Sequence, residues 1–170
     1  ELNRRSNRAE GAVMLVRLLG AEETALKEAK RKSHPFVDVP EWASPHIAYL
    51  YQEGLTKGIS ETLFGSKNDI TPAQYTTMLL RALGYNDQEG LYDLNTALDF
   101  AYEIHMLNDE ERYILKAIGN VGLLRDYMVM LSYNCLYTNI KDRDVSLLSA
   151  LSNERIVEVE DEKAIIDETR

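Results

Sequence analysis

The chain has 170 residues, 45% of them hydrophobic, and a formal net charge of −9, enough for one domain that buries roughly 70% of its unfolded surface. That charge excludes the usual basic nucleic-acid binder, and no apolar run approaches the roughly 20 residues a membrane span needs. The charge is uneven: residues 1–32 hold eight Lys/Arg against five Glu, and residues 87–112 hold eight acids against one Arg, so an anionic ligand is drawn to the first region and repelled by the second.

The chain opens on Glu1 with neither Met nor a signal peptide, as expected of a processed or truncated secreted protein or of an excised fragment. The first predicted helix follows Asn7 as N-cap, with Glu10 completing a capping box and Gly20 as the stop. Ala12, Leu15, Val16 and Leu19 form its apolar stripe, which predicts a single buried face. Residues 21–33 read as a charged linker whose Glu/Lys spacing supports a short solvated helix. Ser44-Pro45 opens a helix carrying Ile47, Leu50 and Tyr51, ended by Gly54. Residues 56–69 read as a loop.

Thr71, Pro72 and Gln74 open the next helix, with Tyr75, Met78, Leu79 and Ala82 as its single buried stripe and Gly84 as its stop. Leu94 to Asn108 holds another helix, and Asn108-Asp109-Glu110-Glu111 is a capping box leading into Tyr113, Ile114, Ala117 and Val121. Helices at 127–138 and 145–151 complete an all-α count. Cys135, the single cysteine, reads as a small core hydrophobe. The acidic stretch 154–170 reads as a linker or loosely docked end.

The chain repeats itself. Ala9, Met14, Leu15, Arg17, Leu19 and Gly20 return 64 residues later as Ala73, Met78, Leu79, Arg81, Leu83 and Gly84. A small helical unit cannot bury its apolar face alone and must stack on its copies, with function usually in the grooves between them. Between the copies stand Phe36-Val37-Asp38-Val39, Trp42, Ile47, Leu50, Glu53-Gly54-Leu55, Gly58-Ile59, Phe64-Gly65 and Ile70-Thr71-Pro72-Ala73-Gln74. About a dozen spaced positions here resemble the S-layer homology module, with its F-x-D-V, Trp, G-I/L and T-R-A-E elements and a closing R-x-L-G.

The resemblance implies an all-α, pseudo-threefold bundle of helix–loop–helix repeats. Residues 1–20 are the second half of a truncated first repeat, 21–33 a linker, 34–85 the second repeat, 86–153 a degenerate third and 154–170 a tail. The missing half-copy lies upstream or is donated by a second chain. It further implies an extracellular protein held non-covalently on a Gram-positive-type wall through an anionic secondary cell-wall polysaccharide, commonly carrying pyruvyl ketals. The alternative, for which the missing half-copy and Pro72 are the evidence, is a related module that has lost glycan binding and serves protein assembly; self-association is a further expected partnership.

The family's T-R-A-E arginine contacts polymer in a groove between repeats, which makes Arg8 and Glu10 the leading candidates. Arg8 at the first helical position gains nothing from the helix dipole, and arginine at a free helix N-terminus suits a carboxylate. Arg8→Ala is expected to weaken binding by about 1.5–3 kcal/mol and to leave stability nearly unchanged, the position being taken as exposed. Pro72 and Gln74 lose both charges in the second copy, and Pro72→Ala costs little binding. Arg125 takes the arginine place in the third copy, where it either binds ligand or pairs with a nearby acid. Trp42 stacks a sugar ring or serves the core, and Lys57 completes the set.

No other chemistry stands out. His34, His46 and His105 lack a metal-binding interval. Gly65-Ser66-Lys67 has the wrong spacing for a phosphate loop, and no serine sits in a G-x-S-x-G setting. A non-enzymatic module without cofactor or metal is therefore expected.

Overall fold

A computed structural model describes residues 3–153, and the expected acidic tail lies outside that range. The described chain is all-helical: α1 (Arg8–Leu18), α2 (Glu22–Glu28), α3 (Ser44–Gln52), α4 (Pro72–Ala82), a 3-10 turn (Asp87–Glu89), α5 (Ala97–Glu103), α6 (Asp109–Ile118), α7 (Arg125–Tyr137) and α8 (Leu147–Asn153). Asn7, Thr71 and Asn108 each cap a helix and close a capping box with Glu10, Gln74 and Glu111. Leu124 begins α7 without a side-chain cap. Gly20 and Gly84 take φ of 65° and 91° just past α1 and α4, the left-handed turn that glycine adopts without steric cost.

Helices α1, α4 and α7 pack on one another at the centre. Their starts are tied by a closed cycle of backbone hydrogen bonds. Ser6 N–H donates to Leu123 O at 2.9 Å, Leu123 N–H to Ile70 O at 2.7 Å, and Ile70 N–H to Ser6 O at 2.9 Å. Each of these residues stands two before the first residue of its helix, and all three are fully buried. In a dry interior every backbone donor needs an acceptor, and the cycle supplies three at once. A Cβ at Gly122 would stand 2.5 Å from Asp69 Cβ, so the cycle closes only because that residue has no side chain.

One step further out, Arg8 N–H donates to Asn68 O and Arg125 N–H to Arg4 O. Pro72 holds the matching place before α4 and has no N–H to give.

Outer helices cover the trio. α3 packs on α1, α5 and α6 on α4, and α8 on α7, while α2 leans on α3. Within the described residues α1 is covered by α3, the second helix after it in sequence. The single buried face expected of α1 and α4 is corrected. Arg8, Ala9, Gly11, Ala12, Val13, Leu15 and Val16 are all buried in α1, and seven of the eleven residues of α4 are buried, since each is flanked by two inner neighbours and an outer one.

The remaining departures are local. Ala21, just before α2, and Ala25 within it are set into the core, and Ala25 is the buried residue of that helix. In α6 the inward residue is Leu115, fully buried, whereas Tyr113 is 76% exposed; the stripe of Tyr113, Ala117 and Val121 faces out because α5 and α4 meet the opposite side. Cys135 is fully buried, as expected of a core thiol.

Candidate functional site

One face of α1, the first turn of α7 and the turn before α3 enclose a groove of about 400 Å³ lined by Ser6, Glu10, Val13, Met14, Arg17, Trp42, Arg125, Met128 and Val129. Glu10, Trp42 and Arg125, three of the five residues singled out from sequence, therefore meet at one place. Glu10, Val13, Met14 and Arg17 follow one another at helical spacing on α1, and Arg125, Met128 and Val129 do so on α7, so each helix turns one stripe to the groove. The floor is apolar (Val13, Met14, Met128) and the rim is charged. Trp42 is 55% exposed and stands over the opening.

Glu10 is held on several sides. Its carboxylate accepts from Arg4 Nη1 and Nη2 and from the Asn7 N–H, and Arg125 Nη2 stands 3.8 Å from Oε1. Partial burial would raise its pKa, but the hydrogen bonds from Arg4 and Asn7 and the charges of Arg4 and Arg125 outweigh it and keep Glu10 ionised below the usual carboxylate range. Arg17 reaches Glu22 at 2.9 Å, and His46 Nε2 lies 3.4 Å from the same oxygen. Three arginines thus face two carboxylates, so the rim is net positive in a chain of net charge −9.

Arg8 and Lys57 do not line this groove. Arg8 is 5% exposed, which corrects the expectation of an exposed side chain at the start of the helix. Its Nε donates to Phe64 O at 2.9 Å and Nη2 to Lys57 O at 3.1 Å, while the guanidinium lies 4.8 Å from the centre of the Phe64 ring. Burial lowers its pKa, opposed by the charge of Asp38 and reinforced by Arg81. The cause of the inward turn is the loop of residues 56–69. Asp38 accepts from the N–H groups of Phe64, Gly65 and Ser66 at 2.7, 2.8 and 3.0 Å, and the loop so folded presents its carbonyls to Arg8.

Burial acts to raise the Asp38 pKa, yet those three donors bring it below the ordinary value. Lys57 Nζ stands 3.1 Å from Asp87, which Arg81 also clamps with Nε and Nη2 at 2.9 Å each.

Sequence reasoning missed the rest of the lining, Ser6, Val13, Met14, Arg17, Met128 and Val129. Arg17 was legible as the residue one turn of the stripe beyond Glu10 and Met14. Ser6 was not, for only the backbone cycle places it here, fully buried with an Oγ that has no hydrogen-bond partner.

No protein-family model matches the chain. It is 33% identical over 122 residues to a cell surface protein of Thermoanaerobacter kivui, covering 70% of this chain and 16% of that protein. It is 35% identical over 78 residues to an endoglucanase of Bacillus sp. strain KSM-635, covering 45% of this chain and 8% of the enzyme. A surface layer protein of Brevibacillus choshinensis is 32% identical over 78 residues, 46% of this chain and 7% of its own length.

The chain therefore spans a small part of the relatives it matches. The relatives named for the cell surface and the surface layer place the chain outside the cell, at the wall of a Gram-positive-type bacterium. The spaced residues from Phe36 to Gln74 resemble the S-layer homology pattern, and the surface and surface-layer proteins among these relatives agree with that resemblance.

Proposed function

We propose that the chain is a pseudo-threefold S-layer homology module that anchors an extracellular protein to the cell wall, and that the groove of Glu10, Trp42 and Arg125 takes an acidic residue of a wall polysaccharide. The observation that carries this is the convergence of residues 10, 42 and 125, distant in sequence, on one groove with an apolar floor, an exposed indole and a net positive rim. An indole face matches the C–H face of a pyranose, and arginine is the side chain best suited to a carboxylate such as a pyruvyl ketal. The backbone cycle through Ser6, Ile70 and Leu123 supports the threefold reading.

Arg8 is assigned a structural part in this reading: it ties the 56–69 loop to α1, and Arg125 takes over the carboxylate. The alternative, an assembly module that has lost glycan binding, rested on the truncated first repeat and on Pro72. The packing of α3 on α1 within the same chain weighs against the first ground. The reading is non-enzymatic, the endoglucanase sharing only the segment that amounts to 8% of its length.

Retention on purified wall sacculi, before and after acid removal of their polysaccharide, tests the proposal. The chain is expected to be retained by the first and released from the second. Equal retention by both ends the anchoring reading.

A further inference from the structure

The three inner helices do not start alike. In α1, Asn7 Oδ1 accepts the Glu10 N–H and the Glu10 carboxylate accepts the Asn7 N–H. In α4, Thr71 and Gln74 exchange the same two bonds. The matching pair in α7 is Leu124 and Tyr127, and no side chain caps that helix. Among the described residues, the N–H groups of Leu124, Asp126 and Tyr127 meet no acceptor. The uncapped start of a thirteen-residue helix carries positive potential on its free N–H groups. It opens beside the groove, for Arg125 is its first residue, and Arg125, Met128 and Val129 are all in the lining.

An independent feature lies at the same place. Ser6 also lines the groove, is fully buried, and has an Oγ without a partner. Its N–H donates to Leu123 O at 2.9 Å, one residue before the start of α7 that goes uncapped. The residues that match it in the backbone cycle are Ile70 and Leu123, both apolar and fully buried. A buried hydroxyl left unpaired costs stability, and an apolar residue here would avoid that cost. At position 6 the chain keeps a hydroxyl where its other two copies have none.

We propose that the acidic group of the ligand is the missing cap of α7, its oxygens accepting from the Asp126 and Tyr127 N–H groups, from the Ser6 hydroxyl and from the Arg125 guanidinium. This rests on the reading of the groove as a polymer site and adds which end of it holds the acid. An ordinary N-cap oxygen accepts from the second or third helical N–H, and a ligand carboxylate at that point also gains the field of the helix. Two carboxylates stand at this end. Asp126 is exposed to water, and Glu10 is held by Arg4 while Arg125 lies 3.8 Å away from it. The arriving acid therefore takes Arg125 and leaves Glu10 to Arg4, and the ring that carries the acid faces Trp42.

Titration of the isotope-labelled chain with a pyruvyl-ketal hexoside and with its methyl ester, followed by amide NMR, tests this. The free acid is expected to move the Asp126 and Tyr127 amide protons downfield, and the ester to leave them in place. Leu124→Asn supplies a cap from within the chain and should weaken binding of the acid about five-fold, the effect of one cap. Ser6→Ala should weaken it several-fold at a melting temperature equal to or above that of the parent, a pairing that a purely structural serine does not produce. Unmoved Asp126 and Tyr127 amides at saturation, or full affinity in folded Leu124→Asn or Ser6→Ala, overturns the proposal. In that event a shifted Trp42 indole N–H leaves the groove reading standing, whereas an indole that neither compound moves overturns both. The amide shifts of the parent chain decide even where a variant fails to fold.

Discussion

Arg8 and Arg125 each stand first in an inner helix and do different work because of what surrounds them. Arg8 is enclosed by a loop that Asp38 has folded, so its two hydrogen bonds and its stacking on Phe64 belong to the fold. Arg8→Ala is expected to cost about 2–4 kcal/mol of stability, from two orphaned carbonyls and a lost cation–aromatic contact, measurable by urea denaturation. Arg8→Lys should rescue only part of it, because an ammonium group lacks the planar fork. Arg125 is half-exposed on the rim, so Arg125→Ala should weaken retention on sacculi by about 1.5–3 kcal/mol with an unchanged urea midpoint. An Arg125→Ala protein that unfolds early and binds normally would reverse these roles.

At the same scale, burial pushes the Cys135 thiol up to about 12. A thiolate-directed reagent should label it only after denaturation.

Among the elements, the turn after α4 carries the clearest pH dependence. Hydrogen bonds from Arg81, opposed by partial burial and helped by Lys57, bring the Asp87 pKa down to about 2 from 3.8. A carboxylate depressed in the folded state contributes its full stability above the unfolded value and loses it as the pH falls. The loss should therefore run between about pH 4 and pH 2 and amount to about 1–2 kcal/mol after allowance for solvent screening. Asp87→Asn should flatten that limb of a stability–pH curve; an unaltered limb would assign the acid sensitivity to other carboxylates.

Capping acts at the same level. Asn108→Ala removes an acceptor from the Glu111 N–H and should cost about 1 kcal/mol.

For the molecule as a whole, the decisive feature is that each inner helix is covered by a later helix of the same chain, α1 by α3, α4 by α5 and α7 by α8, so that α8 is part of the core and not an appendage. Leu147, Leu148 and Leu151 are buried, and Leu151→Ala should cost about 2–4 kcal/mol. Removing residues 146–153 should abolish cooperative melting of the entire domain, as seen by calorimetry, because the outer side of α7 would be left open to water. Survival of a cooperative transition in the shortened chain would show that the trio stands without its third cover.

The sequence by itself determined the helices and their ends, since capping boxes, stop glycines and apolar spacing act within a few residues of one another. Asn7 with Glu10, Thr71 with Gln74 and Asn108 with Glu111 close as their spacing requires, and the burial of Cys135 follows from its stripe. Glu10, Trp42 and Arg125 were legible as candidates but not as neighbours. Only the tertiary structure decided that they share a groove while Arg8, at the same place on its helix as Arg125, is turned away. The reason is that contacts across the backbone cycle of Ser6, Ile70 and Leu123 join residues more than fifty positions apart, and a side chain's direction there is fixed by which loop carbonyls and which neighbouring helix happen to meet it.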